Sequence, residues 1–497
     1  MPASQTLIRG GLVLVDNARF APVSLLVQDG LVAAIFDESG PDPFPDGQPD
    51  GVTVIDATNR IVIPGLVNGH THSHGALGRG GVTADATLET FLAGATALNG
   101  QRHSDDLRLS AQLSAAEMIR KGCTACFDLS GELPGPTVAG IHAVAEAYHD
   151  AGMRAVVAPM ISDRTIYQAL PGLLEAFPEP MRARLAAITL PPWQQTLATV
   201  RDAITRWPVP LTRVRPGIGP AIPLHCADDF LISCAALADE LDLRLQTHLA
   251  ETRMQQVAAQ ARYGTSLTVH LDSLGLLSPR FSGAHGVWLS QDEAYRLAAQ
   301  GAGIVHNPMS NLRLGSGTAP LRLLADAGVP LGVGTDASNT SDGQNMFEAT
   351  RLAATLSRAG TSDAAQWITV PEAFHMATTG SARIMGLENV GRIATGWSAD
   401  LLFLDRDYCH YIPLRDVLSQ IVLAENGSAL REVMIDGQFV LRDSRILTLD
   451  ESALARQARA AAARLDAVNA DARLTSEAAA TVIRSFCQAA CTTRSLN

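Results

Sequence analysis

The sequence predicts an α/β protein, a (β/α)8 barrel carrying a small β-sandwich built from both chain ends. Three observations predict it. Between residues 64 and 388, short apolar runs alternate with amphipathic helical stretches, the pattern that closes into a parallel barrel. At both ends, runs of alternating Val, Leu and Ile lack helical partners and pair best with each other. The 497 residues exceed one ordinary core, whereas an α/β barrel can fill about 250 residues or more as one unit.

Taken in order, 6–37 reads as short strands with Gly, Asn and Asp at the turns, 39–51 as a Pro- and Asp-rich surface loop, and 52–63 as further strand. Eight barrel strands are expected at 66–72, 124–129, 155–160, 214–220, 243–248, 283–287, 303–307 and 331–336. Helices such as 105–121, 228–241 and 292–300 separate them, giving the alternation of a TIM barrel. After the barrel, VGRIATGWSADLLFLD and REVMIDGQFVLRD return to strand, and 451–491 is helical by composition, with a second segment around 478–487. The expected division is therefore 1–63 and 389–450 for the sandwich, 64–388 for the barrel and 451–497 for a helical extension. That extension either packs on its own chain or meets a second subunit.

Composition narrows the class of function. Apolar residues make up 47% of the chain and aromatics 5%, which fits an aliphatic, Ala-rich enzyme with a large core. A formal charge of −12 with no basic run would repel a polyanion, so nucleic acid is excluded as a partner. No apolar stretch reaches the ~18 residues of a membrane span. Seven scattered cysteines and no basic-then-apolar leader point to reduced thiols in a cytoplasm. Cys123 and Cys126 have redox spacing, but the strand-like GCTACFDL around them makes them buried small hydrophobes.

The chemistry gathers at strand ends. In PGLVNGHTHSHGALGRGG (64–81), His70 and His72 lie two apart on a strand, so both imidazoles face one space. Imidazole is the commonest metal ligand, and a catalytic site needs three or four ligands. His248 ends LRLQTH, with Glu251 three residues on, placed as a base beside a ligand rather than as a ligand. His285 lies near the end of the sixth strand, and Asp336 ends VPLGVGTD, the eighth. A lone histidine is usually a satisfied core residue. Repetition on one rim, the catalytic rim of this fold, is what lifts these five above that reading.

These residues carry a resemblance covering about 6–450: the chain resembles the metal-dependent amidohydrolase superfamily, in its branch of amino-heterocycle deaminases and triazine hydrolases. The motifs are PGLVNGHTH, HLAET, HNPMSNLRLGSG (306–317), GTDASN and GWSADLLFLD, in the order that branch uses. The resemblance implies that His70, His72, His248 and Asp336 bind one divalent metal, zinc first and iron as the alternative. It further implies that Glu251, His285 and Asp336 act on the substrate and a metal-activated water. Asn307, Ser310 and Asn311 would lie near the site. Other members bridge two metals with a carboxylated Lys, but the single lysine here, Lys121, falls in a helix, which favours one metal.

The implied reaction is hydrolytic deamination of an amino-substituted N-heterocycle, a small-molecule substrate. The alternative is hydrolysis of an amide, urea or carbamate C–N bond, or removal of a triazine substituent, at the same site. A degenerate member that binds ligand without turnover is a third reading, separable by metal content. Relatives acting on S-adenosylhomocysteine-like nucleosides carry GPHxP where this chain reads GPAIPLHC, so Ala221 replaces a substrate-contacting His. Asn99 stands where they carry a ribose-binding Glu. Both departures point away from a nucleoside. His225, four residues after Ala221, and His74, two after His72, are the further candidates for substrate contact, together with Asn99, Asn307 and Asn311. A homo-oligomer is expected from the resemblance alone.

Overall fold

The computed structural model of the chain describes residues 5–15, 18–37 and 51–493. The loop expected at 39–51 lies outside these residues except for Gly51.

Both chain ends build one nine-stranded sheet. Its order runs Arg445–Ile446, Gln438–Arg442, Leu430–Ile435, Leu401–Asp405, Arg60–Pro64, Gln5–Leu14, Phe20–Gln28, Leu31–Asp37, with Val52–Asp56 paired to Gln5–Leu14. The long strand Gln5–Leu14 branches: its first half pairs with Val52–Asp56, its second half with Arg60–Pro64, both in parallel. Gly10, at φ 76°, sits at the irregularity between the halves. The sheet folds over on itself. The turn at Gly30 meets that at Asp436 and Gly437, so closely that a Cβ on Gly30 would lie 2.7 Å from the Asp436 carboxylate. Between the layers lie Ile8, Leu25, Val62, Leu401, Phe403 and Met434.

The barrel strands are Leu66–Thr71, Cys123–Ser130, Arg154–Ile161, Val214–Pro216 continuing at Gly219–Pro220, Leu245–Leu249, Phe281–His285, Gly303–His306 and Leu331–Val333. All pair in parallel. The expected fourth strand divides at Gly217 and Ile218, where Ile218 bridges to Leu245 and joins the two halves of the barrel. The seam between the eighth and first strands is closed mainly by side chains. Asn68 donates to Thr335 Oγ1 (2.7 Å) and accepts from the Thr335 N–H (3.0 Å), while the Asp336 N–H donates to His70 O (3.0 Å). Gly334 is required at this seam: a Cβ would fall 2.6 Å from Asn307 Oδ1 and 2.7 Å from His70 O.

Helices Ser104–Arg120, Asp228–Glu240 and Gln291–Ala299 stand within one residue of their expected positions. The third begins at a capping box of Ser290 and Glu293. The extension forms two helices, Glu451–Val468 and Ala470–Thr493, so its second helix is far longer than the segment expected around 478–487. All seven cysteines are free, and burial pushes the Cys123 thiol up to about 12, an inert group rather than a redox one. Among the described residues no helix is long and apolar enough to cross a membrane.

A buried ion pair ties barrel to sheet. Arg154 at the foot of the third barrel strand grips Asp400 with two hydrogen bonds (2.7 and 3.2 Å) and reaches Asp436 (2.9 Å). Removing one partner strands a buried charge, so Asp400→Ala is expected to lower unfolding stability by about 3–5 kcal/mol, read from the denaturant midpoint.

Candidate metal centre and active site

The five strand-end residues converge. His70 and His72 close the first barrel strand, His248 stands in the fifth, His285 ends the sixth, and Asp336 follows the eighth. The His72 and His248 Nε2 atoms lie 3.1 Å apart. Asp336 Oδ1 is 3.3 Å from His72 Nε2 and 3.7 Å from His70 Nε2. His285 Nε2 lies 4.0 Å from Asp336 Oδ2 and 3.8 Å from Glu251 Oε2. His285 and Asp336 both adopt positive φ, 78° and 62°, which turns their side chains inward where the strands end. The eighth strand stops at Val333, short of Asp336.

The hydrogen-bond partners fix the tautomers. His72 Nδ1 donates to Leu129 O (2.7 Å) and His248 Nδ1 to Ala221 O (2.5 Å), and a carbonyl can only accept. His70 Nδ1 meets Gln246 Oε1 at 2.7 Å, an orientation set because Gln246 Nε2 donates to Gly69 O and Ser282 Oγ. Burial, reinforced by the neighbouring imidazoles, pushes His72 and His248 down to about 4, and burial lowers His70 as well. All three rings are therefore neutral at pH 7, with a proton on Nδ1 and a lone pair on Nε2. Three buried lone pairs and a carboxylate then face one point with no donor among them. The Nε2 of His70 has no partner at all. Such an arrangement is repulsive unless a cation fills it, and the donor set of three imidazoles and one carboxylate fits a divalent ion.

Around this cluster, Ser310 Oγ and the Ala337 N–H donate to Asp336. His285 Nδ1 contacts Asn311 Oδ1 at 2.8 Å, and its Nε2 is buried without a partner. Glu251 Oε2 is likewise buried and unpaired. Burial first, then the Asp336 and Glu89 carboxylates, hold Glu251 well above the usual carboxylate range, which favours its protonated form.

The cluster opens onto a cavity at the C-terminal rim, lined by His72, His248, Glu251 and Asp336 at its floor. Leu88, Phe91, Leu92, Leu133, Met160, Ile166, Ile188, Leu190, Ile222 and Leu314 give it largely apolar walls, to which Ser162, Arg164, Thr165, Tyr167 and Thr340 add polar groups. His74 and His225 also line it. His74 Nδ1 accepts from the Gly131 N–H (2.8 Å), which leaves the proton on Nε2. His225 is neutral, pushed down to about 3 by burial and by His248. The three asparagines stand elsewhere. Asn99 is buried but is not among the lining residues, Asn311 bonds His285 instead, and Asn307 is buried against Gly334. Lys121 caps its helix and donates to Asn426 O, away from the cluster.

Gln246 was not singled out from the sequence, though a signal existed. It lies two residues before His248 and shares that face of the strand. Because it fixes the His70 tautomer, Gln246→Leu is expected to weaken metal binding about 10–100-fold, measured by competition with a chelator.

An eightfold barrel with a three-histidine, one-aspartate cluster on its C-terminal rim defines a metal-dependent hydrolase. The chain belongs to the amidohydrolase family, whose model matches residues 61–440. It is similar to the 5'-deoxyadenosine deaminase of Methanothermobacter thermautotrophicus, with 31% identity over 463 residues, 92% of this chain and 95% of that one. It is also similar to the 8-oxoguanine deaminase of Pseudomonas aeruginosa, with 31% identity over 93% of this chain and 99% of that one. A zinc-containing adenosine deaminase structure from Xanthomonas campestris superposes with a TM-score of 0.80 at 26% identity, covering 93% and 98%.

Proposed function

We propose that this enzyme deaminates an amino-substituted N-heterocycle by hydrolysis, with His70, His72, His248 and Asp336 holding one zinc ion. The observation that carries the reading is the buried Glu251, with an unpartnered Oε2, beside three convergent imidazole lone pairs at the floor of a largely apolar cavity. The donor set suits zinc, and the zinc-containing Xanthomonas campestris structure supports that choice. When bound, the ion supplies Lewis-acid polarisation of a water.

The residues then divide the proton work. Glu251 gives its proton to the ring nitrogen next to the reacting carbon, which makes that carbon electrophilic. The attacking water forms a C–O bond and loses one proton to His285 Nε2, whose lone pair is 3.8 Å from Glu251. Glu251, now a carboxylate, takes the remaining hydroxyl proton as the C=O forms and passes it to the amine, and the C–N bond breaks to release ammonia. The proton held by His285 then returns to the Glu251 carboxylate, which restores both groups for the next cycle.

The lining favours a base over a nucleoside. Among the described residues that line the cavity, Glu251 and Asp336 are the only carboxylates, so no second acidic group stands ready for a ribose diol. Ala221 offers only its carbonyl, which His248 occupies, while His225 brings an imidazole to the same wall.

The test is ammonia release by metal-analysed protein from a panel of aminopyrimidines, aminopurines, aminopterins and aminotriazines, with Asp336→Ala as control. Metal-dependent ammonia from any ring, absent in the control, is the expected result. Bound metal with no ammonia from any ring would overturn deamination in favour of amide or urea hydrolysis.

A further inference from the structure

The last helix, Ala470–Thr493, lies beyond the residues matched by the family model, yet it backs one wall of the substrate cavity. That wall is two short helices, Leu88–Ala93 and Ala95–Asn99, which present Leu88, Phe91, Leu92, Ala93, Ala95 and Thr96 to the cavity. Helices of six and five residues are far below the length that is stable alone, so their position is set by what they pack against. What they pack against is chiefly the last helix, with smaller contacts to Ile166–Ala169 and Ser73–Gly78. Ala479 and Ile483 are fully buried in the apolar cluster that also holds Ala93, Ile166, Tyr167 and Met254. Ser476 Oγ donates to Ala93 O (3.1 Å), and Asn469, at the helix start, donates to Gly100 O (2.9 Å). The helix also packs on Arg253–Tyr263, the helix that follows Glu251, whereas the metal cluster itself stands at the ends of the barrel strands.

We propose that the C-terminal helix is a positioning element for substrate recognition: through Ile483 and Ser476 it sets the place of the 88–96 wall, and that wall receives an apolar substituent on the heterocycle. The substituent part rests on the deaminase reading above; the positioning part does not. Ile483 is not among the cavity-lining residues, so its loss acts first on affinity for the substituent. The wall also reaches the catalytic carboxyl, because Glu89 accepts from Thr252 Oγ1 (2.8 Å) beside Glu251, and any change in kcat would be shared by both probes.

The experiment uses full-length, metal-loaded Ile483→Ala and Ser476→Ala, with Ile483→Val as the conservative control. The probes are one aminopyrimidine without and one with a butyl substituent. Ile483→Ala is expected to raise KM for the butyl compound about tenfold, with kcat for the unsubstituted ring within about twofold of the parent and Ile483→Val close to the parent. Amide hydrogen exchange should quicken at 88–96 and stay unchanged at 66–71 and 245–249. If Ile483→Ala does not fold, Ser476→Ala is read in the same way, with a smaller effect. Equal changes in KM for the two probes, or unaltered exchange at 88–96, would overturn the proposal. If neither aminopyrimidine releases ammonia, the same pair of probes is made on the ring that the panel above identifies. If no ring of the panel reacts, the deaminase reading fails by itself, and calorimetric binding of the butyl compound replaces KM while exchange decides the positioning role as before.

Discussion

A Glu251→Gln variant is expected to turn over about 10²–10⁴-fold more slowly than the parent while folding normally and retaining its metal. The magnitude follows from what the carboxyl does. Glu251 is buried, its carboxyl is held well above the usual range by that burial, and it has an oxygen with no partner in the chain, so its hydrogen-bonding capacity is reserved for a ligand. Glutamine keeps the shape and a hydrogen-bond donor but has no labile proton to give to the ring nitrogen or carry to the amine. Ground-state binding is therefore preserved and the transition state is not, which places the loss in kcat rather than in KM. Steady-state kinetics beside metal analysis would check it. Near-normal turnover would remove Glu251 from the proton path, and lost metal would make it a ligand.

The same geometry explains why so much of the site could be read from the sequence. His70, His72, His248, His285 and Asp336 come from the ends of four separated strands, and parallel strands in a barrel all end on one rim, so a recurring His or Asp at strand ends needs no three-dimensional knowledge to be noticed. Gln246 follows the same period-two logic and was within reach. The Leu129 and Ala221 carbonyls were not, because every residue carries a carbonyl and nothing in a side chain says which one will meet an imidazole. Asp400 was visible as part of a motif, but its work, gripping Arg154 across the interface between barrel and sheet, depends on a contact between residues 246 apart.

The cavity wall was the least legible part. Leu88–Ala93 and Ala95–Asn99 are too short for helical periodicity to show, and the helix that backs them lies hundreds of residues later. Asn99 illustrates the cost of aligning such a segment without gaps: the residue is buried on the last turn of the wall rather than among the cavity-lining residues. The His74 ring lines the cavity with its Nδ1 fixed as an acceptor by the Gly131 N–H, a partner 57 residues later that no local pattern around His74 reveals.

Removing the metal is expected to abolish turnover and to destabilise the fold at once, because the cluster is a repulsive arrangement when empty. His72 and His248 bring two lone pairs within 3.1 Å, and the Asp336 carboxylate lies 3.3 Å from one of them. Their Nδ1 protons are committed to backbone carbonyls, so neither ring can turn its N–H inward without orphaning a buried acceptor. A cation bound at 1,000 times its dissociation constant would add about 4 kcal/mol to folding stability by mass action alone. Dialysis against a chelator should therefore lower the denaturation temperature and the ammonia rate together, and zinc should restore both. Asp336→Ala supplies the decisive comparison. With one ligand gone and the three imidazoles left, it should gain little stability from added zinc and show no turnover. A chelated protein that melts at the parent temperature would mean that the lone pairs relax without a cation, and the assignment of these four residues as the metal site would fail with it.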